Sequence, residues 1–179
     1  MAVKVRKGKL NSEYLSFYFP AIKTKKTNTM EKLKFNWCAA ELSTIYKVKH
    51  KPSVKISSSQ DSYNYIKNIF DTQEQHIEQF NVFYLNRNNM IIGWKHIGIG
   101  GVSGVVADTK IIMKHALDIC ASAIILSHNH PSGNKKASYQ DIQLTNKVKE
   151  ATKLFDMALL DHIIICDDSY LSMADEGLI

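Results

Sequence analysis

"ASAIILSHNHPSGNKKASYQD", residues 121–141, is the stretch that decides how this chain folds. Ala121 to Ser127 is apolar, too short for a helix and bounded by polar residues, which predicts a buried central strand. In an extended chain, side chains two apart share a face, so His128 and His130 point one way and Asn129 the other. Pro131 keeps the residue before it out of the helical region, which holds His130 extended, and Pro131-Ser132-Gly133 then turns the chain. Beyond the turn, Ser138 opens a helix whose predicted buried stripe is Leu144, Val148, Ala151 and Phe155. At about 100° per residue, Asp141 lies roughly 50° from the centre of that stripe. Its carboxylate leans towards the strand end that carries the histidines.

Each part also has a plainer reading. A His-x-His pair occurs in polar loops, and Ser138 with Asp141 three residues on fits a capping box, in which the aspartate only satisfies a helix N-terminus. Taken together, two imidazoles and one carboxylate converge from rigid elements. Catalytic zinc takes three such protein ligands and keeps the fourth tetrahedral position open.

Outward from this stretch the pattern is mixed helix and strand. Asp108-Thr109 caps a helix with a stripe at Ile112, Ala116, Ile119 and Cys120. Before it, "GIGGVSGVV" from Gly98 has the glycines of a phosphate loop, but they run into Val105-Val106, read as strand, so a bulged or close-packed strand is the better account. Glu78 to Asn86 and Met90 to Ile97 are β-rich and joined by a polar turn, which predicts a hairpin. Ser59-Gln60-Asp61 precedes Tyr63, Ile66, Ile69 and Phe70, the pattern of a capped amphipathic helix. Further upstream, Met30 to Tyr46 has helical spacing and Lys47 to Ser57 reads as an extended linker.

Charge divides the 179 residues unevenly. Residues 1–56 hold 13 Lys and Arg against 3 Asp and Glu, whereas residues 57–179 hold 10 against 14, so a net +10 extension precedes a net −4 domain. Lysines interleaved with aromatics in the extension either form a footprint for nucleic-acid phosphates or simply solvate it. The apolar runs are far shorter than the roughly 20 residues that cross a bilayer, which predicts a soluble chain and no membrane partner. Cys38, Cys120 and Cys166 lie in or beside apolar runs with no close pairing, consistent with a reducing cytoplasm.

From His128 to Asp141 the chain resembles the metal-binding motif of the JAB/MPN (JAMM) metalloprotease superfamily. "HNHPSG", "LLDHIII" and "SYLSMADEGLI" make it resemble the RadC branch more closely, over about residues 57–179. The resemblance implies an α/β, three-layer JAB/MPN-like (cytidine-deaminase-like) fold, a mixed sheet flanked by helices, with Zn2+ held by His128, His130 and Asp141. It also implies a catalytic glutamate just before a short apolar strand, matched by Glu78 in "IEQFNVFYLN" rather than by Glu74, and a catalytic serine at Ser138. Zinc lowers the pKa of bound water to about 7; Glu78 would take its proton, and Ser138 would help stabilise the oxyanion.

Asp161-His162 reads either as support for the site from behind or as a buried core pair. Asn129 and Ser132 either contact substrate or stabilise the turn, and the turn is the favoured expectation. The helix-hairpin-helix region of full-length RadC proteins has no counterpart in residues 1–56. Three functions remain: a zinc hydrolase of a peptide or isopeptide bond, a DNA-associated protein or metallonuclease, and a binding scaffold stabilised by metal.

Overall fold

A computed structural model describes residues 53–70, 76–101 and 106–179. The helix expected at 30–46, the basic segment and most of the predicted linker lie outside the described residues.

The chain forms helix α1 (Ser59–Phe70), the hairpin β1 (Gln79–Leu85) and β2 (Ile91–Ile99), then helix α2 (Thr109–Asp118). Strand β3 (Ala123–Asn129), helix α3 (Tyr139–Lys153) and strands β4 (Ala158–Cys166) and β5 (Ser169–Ser172) complete it. One five-stranded sheet runs in the order β2-β1-β3-β4-β5. All its pairings are antiparallel except β3 with β4, which are parallel and joined through α3. The fold is therefore α/β with a mixed sheet between helical layers.

Strand alternation builds the two faces. Phe83, Leu85, Ile125, Ile163 and Ile165 pack with Tyr63, Ile66 and Phe70 of α1. Phe80, Val82, Tyr84, Ile124 and Leu126 pack with Ile112, Met113 and Ala116 of α2 and Val148 of α3. Every residue of β1 and of β3 is buried. Covered on both faces, these strands read as near-continuous apolar runs. Each fully buried Phe, Leu or Ile contributes about 1.5–3 kcal/mol relative to exposure. A one-residue slip would exchange the two cores, so burial fixes the register.

Local signals hold with adjustments. Asn86 Oδ1 accepts the amides of Asn88 and Met90, and Asn89 takes φ 54° to close the hairpin. Phe80 pairs with Gly98 while Asn81 pairs with His96, which leaves Ile97 as the extra residue of a bulge. Val106 is not in a strand; Val105 lies outside the described residues. Val54 accepts from the Ile91 amide, and Ile56 is buried in the core under α1.

Three expectations need correction. Strand β3 runs to Asn129, so His128 is inside the sheet rather than beyond it. The buried face of α3 is Thr145, Val148 and Thr152, with Leu144 and Ala151 only partly covered, and Phe155 lies exposed past the helix end. The shift follows from the partner surface: α3 sits over β4, and the small threonines allow close approach. Cys120 is exposed, not a buried hydrophobe, because it follows the end of α2 at φ 55°.

Candidate metal centre

The parallel pair β3 and β4 presents its carboxyl ends to one side, and α3 starts there. Open α/β sheets commonly bind ligands outside the carboxyl ends of their strands. His128 is the penultimate residue of β3, His130 follows the strand, and Asp141 lies in the first turn of α3. The Gly133 amide donates to the His130 carbonyl at 3.0 Å, closing the turn at Pro131-Ser132. Gly133 has φ 68°, and a Cβ there would lie 2.5 Å from Asp167 Oδ2. Only glycine suits both the left-handed backbone and the close approach.

The predicted ligand set is brought together. His128 Nε2 lies 3.0 Å from His130 Nε2 and 3.2 Å from Asp141 Oδ1, and His130 Nε2 lies 3.6 Å from Asp141 Oδ2. An ion with tetrahedral arms of about 2.0–2.1 Å separates its ligand atoms by roughly 3.3 Å. The His128–His130 and His128–Asp141 spacings lie close to that value, one ligand atom from each of the three residues falls within 4.8 Å of the others, and two nitrogens with one carboxylate suit zinc. Among the described residues this is the one group of His, Cys, Asp and Glu side chains arranged to hold a metal ion.

Asp141 serves the helix and the histidines at once. Its Oδ2 accepts the Ser138 amide at 2.7 Å, and Ser138 Oγ accepts the Asp141 amide at 3.1 Å, a complete capping box. The two readings of this pair are thus not alternatives. The cap fixes the carboxylate, and a fixed carboxylate faces both imidazoles. The positive end of the helix dipole favours the charged form further.

Hydrogen bonds also assign the tautomers of the ligands. Thr145 Oγ1 donates its proton to the Asp141 carbonyl at 2.6 Å, so at His162 Nδ1, also 2.6 Å away, it acts as acceptor. His162 therefore carries its proton on Nδ1 and accepts at Nε2 from His128 Nδ1, 2.8 Å away. That leaves the His128 Nε2 lone pair facing the site. His130 Nδ1 donates to the Asn134 carbonyl at 2.7 Å, which turns its Nε2 the same way. Phe80 stacks on His128 at 5.9 Å and meets His162 edge-on at 5.6 Å, excluding water from this relay.

Electrostatics follow from these contacts. The Asp141 hydrogen bond, then the Cys166 thiol and the Asn134 carbonyl, raise the His130 imidazole to about 10 against the effect of burial. Burial works to raise the Asp141 carboxyl, but the neighbouring His128 imidazole and the hydrogen bonds from His130 and Ser138 outweigh it and hold it well below the usual carboxylate range. Complete burial pushes His162 well below its ordinary value, with His128 adding in the same direction, so it stays neutral. Without an ion, a proton on His130 Nε2 stands between the ligands.

Asp161 and His162 separate. His162 is fully buried behind His128, whereas Asp161 points to the other side of β4 and accepts from Ser172 Oγ, the Ala174 amide and the His162 amide. One supports the site; the other ties down the C-terminal turn. Asn129 neither contacts the site nor stabilises the turn as expected, since its carboxamide bonds to Ile77 and Gln79. Thr145 was missed by sequence reading, although its place four residues after Asp141 puts it on the same helix face.

A cleft of about 710 Å3 opens over the group, lined by Glu78, Phe80, Val106, His130, Ser138 and Asp141 among others. Both predicted catalytic residues, Glu78 and Ser138, therefore face the same space as the ligands. Glu78 precedes β1 and is held by backbone bonds to Gly100 and Gly101. Ser138 is exposed at the helix start. No helix among the described residues is long and apolar enough to cross a membrane.

Comparison with known proteins agrees with this architecture. The family model of the RadC-like JAB domain matches residues 56–178. A UPF0758 protein of Flavobacterium johnsoniae is 38% identical over 124 residues, covering 69% of this chain and 53% of the relative. One from Porphyromonas gingivalis is 50% identical over 103 residues, covering 57% and 45%. One from Carboxydothermus hydrogenoformans is 40% identical over 118 residues, covering 66% and 51%. The chain spans about half the length of the curated relatives it matches. With a family match over most of its length and these ligands at the end of a parallel strand pair, the chain belongs to the RadC-like JAB domain family of the JAB/MPN superfamily.

Proposed function

We propose that this domain is a zinc-dependent hydrolase of the JAMM type acting on a peptide or isopeptide bond. The observation that carries the reading is the convergence of His128, His130 and Asp141 at metal-ligand spacing, with His130 and Asp141 on the wall of a cleft that Glu78 and Ser138 also line. Zinc, when bound, supplies a Lewis acid and makes water a nucleophile near neutral pH. Glu78 takes the proton of the attacking water and returns it to the leaving amine. Ser138 Oγ, whose lone pair accepts the Asp141 amide, keeps its proton to donate to the substrate carbonyl oxygen as charge develops there. The relay from Thr145 through His162 keeps the His128 lone pair directed into the site, where it would hold the ion, and the cap on α3 keeps the Asp141 carboxylate in place.

The test is cleavage of a panel of unstructured peptides and of peptides joined through a lysine side chain. Hydrolysis should be abolished by a chelator, restored by zinc, and lost in Glu78→Gln while that variant still binds zinc. Undiminished turnover in Glu78→Gln would remove the base assignment, and insensitivity to chelation would remove the metal.

One observation favours a second reading. Residues 1–56 carry 13 basic against 3 acidic residues, a charge suited to a nucleic-acid backbone. Binding to DNA that weakens steeply with salt and disappears when residues 1–34 are deleted would support it. Metal binding with no turnover on either substrate class would leave the scaffold role.

A further inference from the structure

Asn129 stands in sequence between two metal ligands, yet it works on the other face of β3. Its side chain is buried, with 7% of the residue exposed, and it does not line the cleft. The carboxamide oxygen accepts the Gln79 amide at 2.8 Å, and the carboxamide nitrogen donates to the Ile77 carbonyl at 2.9 Å. These are the neighbours of Glu78 on either side. On the opposite edge, the Glu78 amide donates to the Gly101 carbonyl at 3.1 Å and its carbonyl accepts the Gly100 amide at 2.8 Å. The segment that carries the carboxylate is thus gripped from both edges.

The backbone ladder between β1 and β3 has its last pair at Phe80 and His128. Past that point the Asn129 carboxamide stands in for a peptide group, offering one donor and one acceptor to the strand that would otherwise lose its partner. Asparagine has both groups at the length that reaches Gln79 and Ile77 together; glutamine would carry them a methylene too far, serine is too short to span both, and an ionised aspartate has no donor for Ile77.

We propose that Asn129 is a positioning residue for Glu78. Because it is bonded covalently between His128 and His130, it sets the place of the base relative to the metal ligands, so that one tripeptide fixes both halves of the site. The inference rests on the reading of Glu78 as the base acting beside a bound ion.

The experiment needs no substrate. Co2+ replaces zinc, and the visible spectrum of the bound ion is followed against pH for the full chain. Glu78→Gln removes a negative charge next to the ion and should move the spectral midpoint down by roughly one pH unit. Asn129→Ala should bind Co2+ with unchanged stoichiometry and move the midpoint in the same direction, and the Glu78→Gln, Asn129→Ala double variant should show no further shift. If Asn129→Ala loses its thermal transition, Asn129→Gln, which keeps both amide groups but displaces them by a methylene, is read in the same way. A wild-type midpoint in the Asn129 variant beside a shifted Glu78→Gln, or shifts that add in the double variant, overturns the positioning role alone. A chain that binds no Co2+, or a Glu78→Gln variant with the wild-type midpoint, overturns the base reading and this inference with it.

Discussion

His162 Nε2 lies 2.8 Å from His128 Nδ1, although the two residues are 34 positions apart and on different strands. The parallel register of β3 and β4 sets one imidazole behind the other, and Thr145 behind that. A side chain outside the cleft thereby fixes which nitrogen of His128 is left free to face the site.

Replacing His162 should accordingly weaken the metal without removing a ligand. Partners of this kind are worth about 10- to 100-fold in metal affinity. His162→Phe should show such a loss in competition against a chelator of known affinity. Thr145→Val, which keeps the shape but leaves His162 Nδ1 without its acceptor, should cost roughly 1–3 kcal/mol of stability in denaturant unfolding. Zinc affinity unaltered in both variants would separate the relay from the site.

The raised His130 imidazole gives two opposite pH trends. Its folded-state value, about 10, exceeds the ordinary 6.5. The stabilisation from its ion pair with Asp141 is therefore complete below about pH 6.5 and is lost as pH rises towards 10. Metal must displace that proton, so over the same range affinity for zinc should grow with pH, with close to one proton released per ion. Thermal melts between pH 6 and 9 should show the metal-free protein becoming less stable while the increment from zinc becomes larger. A zinc increment independent of pH would mean that His130 does not carry the proton.

Asp141 has two duties that substitution can separate. Asp141→Asn keeps an oxygen to accept the Ser138 amide, so α3 should hold while zinc binding falls sharply. Ser138→Ala removes the other half of the box and should cost about 1 kcal/mol with the three ligands still present. Calorimetric titration with zinc beside thermal unfolding distinguishes them. Equal loss of zinc affinity in the two variants would show that the cap, not the charge, governs the metal.

Gly133 should resist replacement by any other residue. Gly133→Ala places a Cβ 2.5 Å from Asp167 Oδ2 at φ 68°. It should destabilise the protein by about 1 kcal/mol or more and move the turn that carries His130. Pairing it with Asp167→Ala should recover only part of the loss, because the backbone strain persists. Full recovery in urea unfolding would assign the whole effect to the clash.

Much of this molecule is written in short-range patterns. The apolar run before His128, the Asx and Ser caps of α2 and α3, and the polar turn at Asn86 to Asn89 each act within a few residues, so periodicity and residue chemistry place them. The group that could hold a metal ion is legible for the same reason: His128 and His130 are a strand repeat apart, and Asp141 is one turn and a helix start away. The predicted stripe of α3 holds at Val148, with Leu144 and Ala151 packed at its edge, and fails at Phe155, which hydrophobicity alone marks as buried. The partner surface also buries the small Thr145 and Thr152, which hydrophobicity does not mark.

The amino-acid order by itself determined the strand, the turn and the cap, and with them which side chains could offer nitrogen and oxygen to an ion. Only the tertiary structure decided that His162 backs His128, that Asp161 turns away from the site, and that Asn129 clasps the backbone around Glu78 from 50 residues away. Local hydrogen bonds and side-chain period act over a few residues and leave their mark in the sequence. Strand register is set by the burial of two cores at once, and that balance is struck only when distant segments pack.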